Sequence, residues 1–259
     1  MNDDFYIGWQ AKSAPGIGRV MRRTVVALLV AAVLVPASLA VSQRLIGVGA
    51  FEWGTVKTFA GILQAQPYPC LLVPRPGQTD GQARYSVYYL VAPFKFGLRP
   101  EQVAAFDGQA VTLKGTLIYR ENQTMIEALP ASIQADTHAA APAAALPATM
   151  PLGRQTLTGE IVDSKCFLGV MNPGQLATHR ACAIRCISGG IPPVLLVRPP
   201  AGPPQYFLLV SADGKPVNAQ VLDLVAEPVQ VTGEVESRGG LLILRADPAT
   251  YRRVNLGGH

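Results

Sequence analysis

One stretch of this chain occurs twice. Tyr88-Tyr-Leu-Val matches Tyr206-Phe-Leu-Leu, and Gly108-Gln-Ala-Val-Thr-Leu-Lys-Gly115 matches Ala226-Glu-Pro-Val-Gln-Val-Thr-Gly233. Met125-Ile-Glu-Ala128 matches Ile243-Leu-Arg-Ala246, and a single spacing aligns all three pairs without a gap. Upstream, Gly61 matches Gly159 and Pro69-Cys-Leu-Leu-Val73 matches Pro193-Val-Leu-Leu-Val197. Self-similarity of this kind constrains a fold more than composition does, because both copies must satisfy one architecture.

Within the first copy, Thr55–Gln64, Cys70–Val73, Tyr85–Ala92, Ala110–Tyr119 and Thr124–Leu129 read as strands, separated by Gly, Pro, Asn and Asp turn signals. Only Pro100–Phe106 reads as helix, with Pro100 at its start. Five strands with a short helix before the fourth resemble the OB-fold, a partly open Greek-key barrel. Asn218–Leu224 stands at the equivalent place in the second copy. The expected fold is mainly β: two tandem OB-like five-stranded barrels, spanning residues 51–134 and 156–254, after one N-terminal transmembrane helix. Residues 135–155, rich in Ala and Pro, read as an extended linker that includes His138. The resemblance to the OB-fold is architectural and names no activity.

Ahead of the barrels, Thr24–Val41 carries no charge, which reaches the lower limit for a bilayer-crossing helix of about 17–25 residues. Arg19, Arg22 and Arg23 precede it, and Arg44 follows. The positive-inside rule then puts residues 1–23 in the cytoplasm, residues 24–44 in the membrane and the remainder outside. Ser38-Leu39-Ala40 could serve as a cleavage site, but residues 1–23 are long for a signal peptide, so an uncleaved anchor is favoured. The Ala/Pro/Arg-rich composition suggests a bacterium, and therefore a single-pass inner-membrane protein whose bulk is periplasmic. Phe5, Tyr6 and Trp9 in the cytoplasmic segment are candidate partner-binding residues, either for a larger membrane protein or for the bilayer interface.

The net charge of +5 is modest and sits partly beside the apolar run. No basic patch interleaved with aromatics is present, so nucleic acid is not an expected partner. No complete Gly-rich phosphate loop, G-x-S-x-G elbow or paired carboxylates mark an enzyme, and no catalytic residue is assigned.

The chemistry-bearing residues concentrate in one place. Between its first and second strands the second copy inserts residues 163–190, which hold three of the four cysteines, Cys166, Cys182 and Cys186, together with His179. Gly174–Ile187 reads as a helix stopped by Gly189 and Gly190, which puts His179, Cys182 and Cys186 on one face. Cys166 can fold back onto that face. Thiolate and imidazole donors suit Zn, Cu or an iron cofactor, with Asp163 behind them and Met171 as an auxiliary thioether. The competing reading needs no cofactor. An exported protein sits in an oxidising compartment, and Cys166 bonded to Cys182 or Cys186 would staple the loop, contributing roughly 3 kcal/mol. Cys70 could take the leftover cysteine, although its place on a strand suits a buried hydrophobe. A redox-active thiol pair is the third reading. Arg180 and Arg185 are expected off the Cys/His face.

The segment Val162-Asp-Ser-Lys-Cys166, His179-Arg-Ala-Cys182-Ala-Ile-Arg-Cys186 and Gly189-Gly-Ile-Pro192 resembles a motif of uncharacterised bacterial membrane-anchored exported proteins, V-D-x-x-C-[FY] followed by H-x-x-C-x-x-x-C and a Gly-Ile-Pro exit. The resemblance covers residues 162–192 and implies export without naming an activity. An anchor followed by an OB-like barrel is also similar to the haem chaperone of cytochrome c maturation. That family has one barrel and a haem-binding histidine near its C-terminal end, and His259 here stands in a loose tail, so its function is not carried over. The expected role is a non-catalytic accessory subunit of a redox or respiratory-type membrane complex. The alternatives are a periplasmic metal-, haem- or thiol-handling protein and a purely structural binding module.

Overall fold

A computed structural model describes residues 13–44, 49–75, 77, 84–137 and 147–254. The chain forms two compact units, Met1–Gly47 and Val48–His259. Phe5, Tyr6, Trp9, His138 and His259 lie outside the described residues.

The first unit holds one helix, α1 (Pro15–Arg44), with Pro15 at its first turn and Pro36 inside it. Pro15–Ser42 is long and apolar enough to cross a membrane, by length and composition. The helix starts well before the expected Thr24. Helical geometry depends on backbone propensity, and Gly16–Arg23 continues the same turn although it carries three arginines.

The second unit is built from strands. They are β1 (Ala50–Phe51), β2 (Lys57–Gln64), β3 (Cys70–Pro74), β4 (Tyr85–Val91), β5 (Ala110–Arg120), β6 (Gln123–Ala128) and β7 (Gln134–Ala135) in the first copy. The second copy has β8 (Met150–Asp163), β9 (Pro193–Val197), β10 (Gln205–Val210), β11 (Pro228–Arg238), β12 (Leu241–Arg245) and β13 (Arg252–Arg253). Strands β2, β3, β4, β6 and β5 pair in that order, and β5 returns to β2. Strands β8, β9, β10, β12 and β11 close in the same way, back to β8. In each ring only the third and fifth strands, β4–β6 and β10–β12, run parallel. Two closed five-stranded OB-like barrels result, as the repeat requires.

The repeated glycines explain the closure. A Cβ on Gly61 would stand 2.5 Å from the Leu72 carbonyl oxygen, and one on Gly159 2.4 Å from that of Leu196. Gly115 and Gly233 are equally tight, at 2.6 Å from the Glu127 oxygen and 2.3 Å from the Arg245 oxygen. Long strands shared by both sheets of a small barrel must bend sharply, and a side chain at the bend would strike the next strand.

Ala226 stands where the first copy has Gly108, and both are left-handed, with φ 60° and 74°. Ala226 bears a strain of about 1 kcal/mol that Gly108 does not. Ala226→Gly is expected to stabilise the fold by up to about 1 kcal/mol, read as a higher midpoint in chemical denaturation.

The copies differ where the expected helix falls. The first has α2 (Pro100–Val103) and a 3₁₀ turn at Ala104–Phe106, with the Gln102 side chain accepting the Arg99 N–H at 2.8 Å. The second keeps only a 3₁₀ turn at Leu222–Leu224. It lacks the initiating proline, and Asn218 instead donates to the Ile187 and Ile191 carbonyls, at 2.8 Å each. The linker is also shorter than expected. Residues 150–155 extend β8 and pair with β11, because the long β11 offers unpaired backbone that chain of almost any composition can satisfy.

Each barrel has its own core, represented by Leu63, Leu90 and Ile126 in the first and by Ile161, Leu209 and Leu244 in the second. A further buried cluster lies between them and joins Tyr89, Ile118 and Met125 to Phe167, Leu168 and Tyr206. Alternation along β4 accounts for this: Leu90 faces its own barrel, while Tyr89 and Val91 face the other. The inserted loop is packed into this seam.

Candidate metal centre

Strand β8 ends at Asp163, whose side chain is fully buried. One carboxylate oxygen accepts the Cys166 N–H at 2.7 Å and starts a turn of π-helical type over Cys166–Val170. The other lies 2.9 Å from His179 Nε2. Asp163 thus fixes both a backbone turn and an imidazole. With Nε2 facing the carboxylate, Nδ1 is the ring nitrogen left for an ion, and metal-bound histidines are commonly oriented by a carboxylate in this way.

His179 closes a 3₁₀ turn, Ala177–His179, and caps α3 (Arg180–Ser188). The helix starts later than the expected Gly174 because Leu176 is left-handed, with φ 67°, and its N–H is held by Glu160. Gly189 caps the other end, as expected. Cys182 and Cys186 follow His179 on successive turns of α3, so spacing alone brings them to one side.

The ligand atoms of Cys166, His179 and Cys182 all lie within 4.8 Å of one another, as do those of Asp163, Cys166 and Cys186. Cys166 belongs to both groups. Cys166 and Cys186 are buried, and Cys182 is half-buried. Their hydrogen bond divides the character of the inner thiols. Cys166 is pushed up, first by its hydrogen bond with Cys186 and then by burial, while the same bond holds Cys186 below its ordinary value.

All four cysteines are free thiols, so none of them forms the disulfide of the competing reading. The Cys166 and Cys186 sulfurs are 3.9 Å apart. A disulfide needs about 2.05 Å, whereas two thiolates on one tetrahedral ion at about 2.3 Å lie about 3.8 Å from each other. Cys70 does not join the cluster. It is buried on β3, its thiol points to Gln64 Oε1 at 3.8 Å, and burial pushes it up to about 11.

The first barrel completes the site, through residues that spacing did not reveal. Lys95, in the turn after β4, donates to Cys182 Sγ at 2.7 Å, and this bond raises its pKa. Lys165 crosses in the opposite direction. It is 1% exposed and places its ammonium 2.5 Å from Glu127 Oε2, with the Ala92 and Phe94 carbonyls at 2.8 and 2.6 Å. Gly97 also donates to the Gly189 carbonyl at 3.0 Å.

Above the thiols lies an open cleft of about 480 Å³ lined by residues of both barrels. Cys166, Cys182 and Cys186 line it, as does the exposed Met171. Arg185, expected away from the site, also lines it, with its guanidinium 5.5 Å from the centre of the Phe96 ring. The aromatic surface of the first barrel attracts it there. Arg180 does point elsewhere, pairing with Glu227 and donating to the Asp223 carbonyl at 3.0 Å.

Comparisons of the chain with protein-family models, with curated proteins and with solved structures gave no match.

Proposed function

We propose that this chain is a membrane-anchored, periplasmic metal-holding protein in which Cys166, His179, Cys182 and Cys186 bind one thiophilic ion, Zn(II) or Cu(I). It then acts as a non-catalytic accessory or metal-handling subunit of a membrane redox complex. The observation that carries the reading is a pair of overlapping ligand groups, Cys166 with His179 and Cys182 and Cys166 with Cys186 and Asp163, in which the Cys166 and Cys186 sulfurs stand at a metal-sharing separation of 3.9 Å and Asp163 orients the imidazole. The compartment supports it as well. Thiols this close in an oxidising space are expected to become a disulfide unless an ion holds them apart. The half-buried Cys182 at the cleft suits exchange of the ion more than permanent burial. The apolar α1 with arginines on its N-terminal side supports the anchor and its orientation.

Metal analysis of the full chain purified from membranes tests this. One equivalent of Zn or Cu is expected, with a lower content in Cys182→Ser. A metal-free wild-type chain with two or fewer free thiols would contradict the reading.

A second reading, thiol–disulfide exchange, rests on the half-buried Cys182 at the cleft, with Lys95 Nζ 2.7 Å from its sulfur. It requires rapid alkylation of Cys182 in the metal-loaded chain. Slow alkylation that accelerates on chelation supports metal binding instead.

A further inference from the structure

The cleft above the thiols has a chemical character that metal binding does not explain. Phe51, Trp53, Phe94 and Phe96 form its aromatic wall. Trp53 and Phe94 are among the most exposed large hydrophobics in the protein, at 76% and 79%. Phe94 is also left-handed, with φ 62°, a strained state for a bulky residue. Strain retained beside a cleft marks a conformation kept for use.

The charges are one-sided. Lys95 and Arg185 line the cleft, and their recorded partners are a sulfur and an aromatic ring. Glu127 is the single carboxylate lining it among the described residues, and Lys165 occupies that carboxylate. The cleft therefore presents Lys95 and Arg185 over an aromatic surface, while its one lining carboxylate is taken up by Lys165. Its volume falls in the usual range for small-molecule sites, about 300–1,000 Å³.

We propose that this cleft binds a small aromatic carboxylate, its ring on Phe94, Phe96 and Trp53 and its acid group against Lys95 and Arg185. The inference does not depend on an ion at the thiols. Aromatic burial supplies affinity and the cation pair selects the anion.

The test uses the full chain in lipid nanodiscs carrying Trp9→Phe, which leaves Trp53 as its single tryptophan. 2-Naphthoate is expected to quench Trp53 saturably, and the neutral 2-naphthamide to bind about 10-fold or more weaker. Lys95→Gln with Arg185→Gln should remove that preference. Phe94→Gly is the decisive variant. Glycine relieves the strained φ, so stability holds or rises, while naphthoate affinity falls about 10-fold. Absence of saturable quenching would overturn the proposal. Equal affinity for the amide would overturn it too, since the cleft would then be an apolar groove without charge selection. Unchanged affinity in Phe94→Gly would remove the aromatic wall from the site.

Discussion

Glu127→Ala is expected to destabilise the two-barrel unit by about 3–5 kcal/mol, the usual cost of stranding one partner of a buried ion pair. Lys165 is 1% exposed, and the Glu127 side chain is the only anion within contact distance of its ammonium among the described residues. The Ala92 and Phe94 carbonyls satisfy hydrogen bonds but cannot neutralise the charge. Because Lys165 belongs to the inserted loop and Glu127 to β6, the loss should appear where the barrels meet. Proteolysis should cut the 164–192 loop before either core opens. The double variant Glu127→Leu, Lys165→Met removes both charges and is expected to recover most of the loss, since apolar replacements of buried pairs are often neutral. If Glu127→Ala costs less than about 1 kcal/mol in urea denaturation, the pair is better solvated than its burial indicates.

Cys166→Ser is expected to weaken metal binding more than any other single thiol substitution. Cys166 is the one residue shared by both ligand groups. Structural zinc sites bind with about 10–16 kcal/mol, so one of four ligands corresponds to roughly 3 kcal/mol, on the order of 100-fold. Losing the shared ligand should exceed that, and losing Cys186 should fall near it. Asp163→Asn keeps the three thiols and the imidazole but weakens the grip on His179, with an expected loss of about 10–100-fold. Met171→Leu should change affinity little, because Met171 is 45% exposed at the cleft edge. Competition against a chromophoric chelator reads all four. Equal losses for Cys166→Ser and Met171→Leu would refute the assignment.

Much of the architecture was legible in the sequence because the repeat is local and its glycines are obligatory. Gly61, Gly159, Gly115 and Gly233 sit where strands cross too closely for a Cβ, and no other residue type fits there. The cluster was legible for a similar reason, since His179, Cys182 and Cys186 share a helix and helical periodicity is a short-range rule. What sequence reading missed is long-range. Nothing in Pro93-Phe-Lys-Phe96 announces that Lys95 reaches Cys182, or that the first barrel forms one wall of the site. Nothing in the sequence pairs Lys165 with Glu127. The disulfide reading came from counting cysteines in an oxidising compartment, and the separation that argues against it is visible only in three dimensions. The linker read over residues 135–155 overlaps β8 because pairing with β11, a property of the assembled sheet, recruits residues 150–155.

X-ray absorption at the metal edge of the full chain, purified from membranes without added metal, tests the central claim most directly. The account predicts coordination by three sulfurs at about 2.3 Å and one nitrogen at about 2.0 Å, collapsing in Cys166→Ser. Coordination by oxygen and nitrogen alone, or no bound metal and a Cys166–Cys186 disulfide, would contradict it.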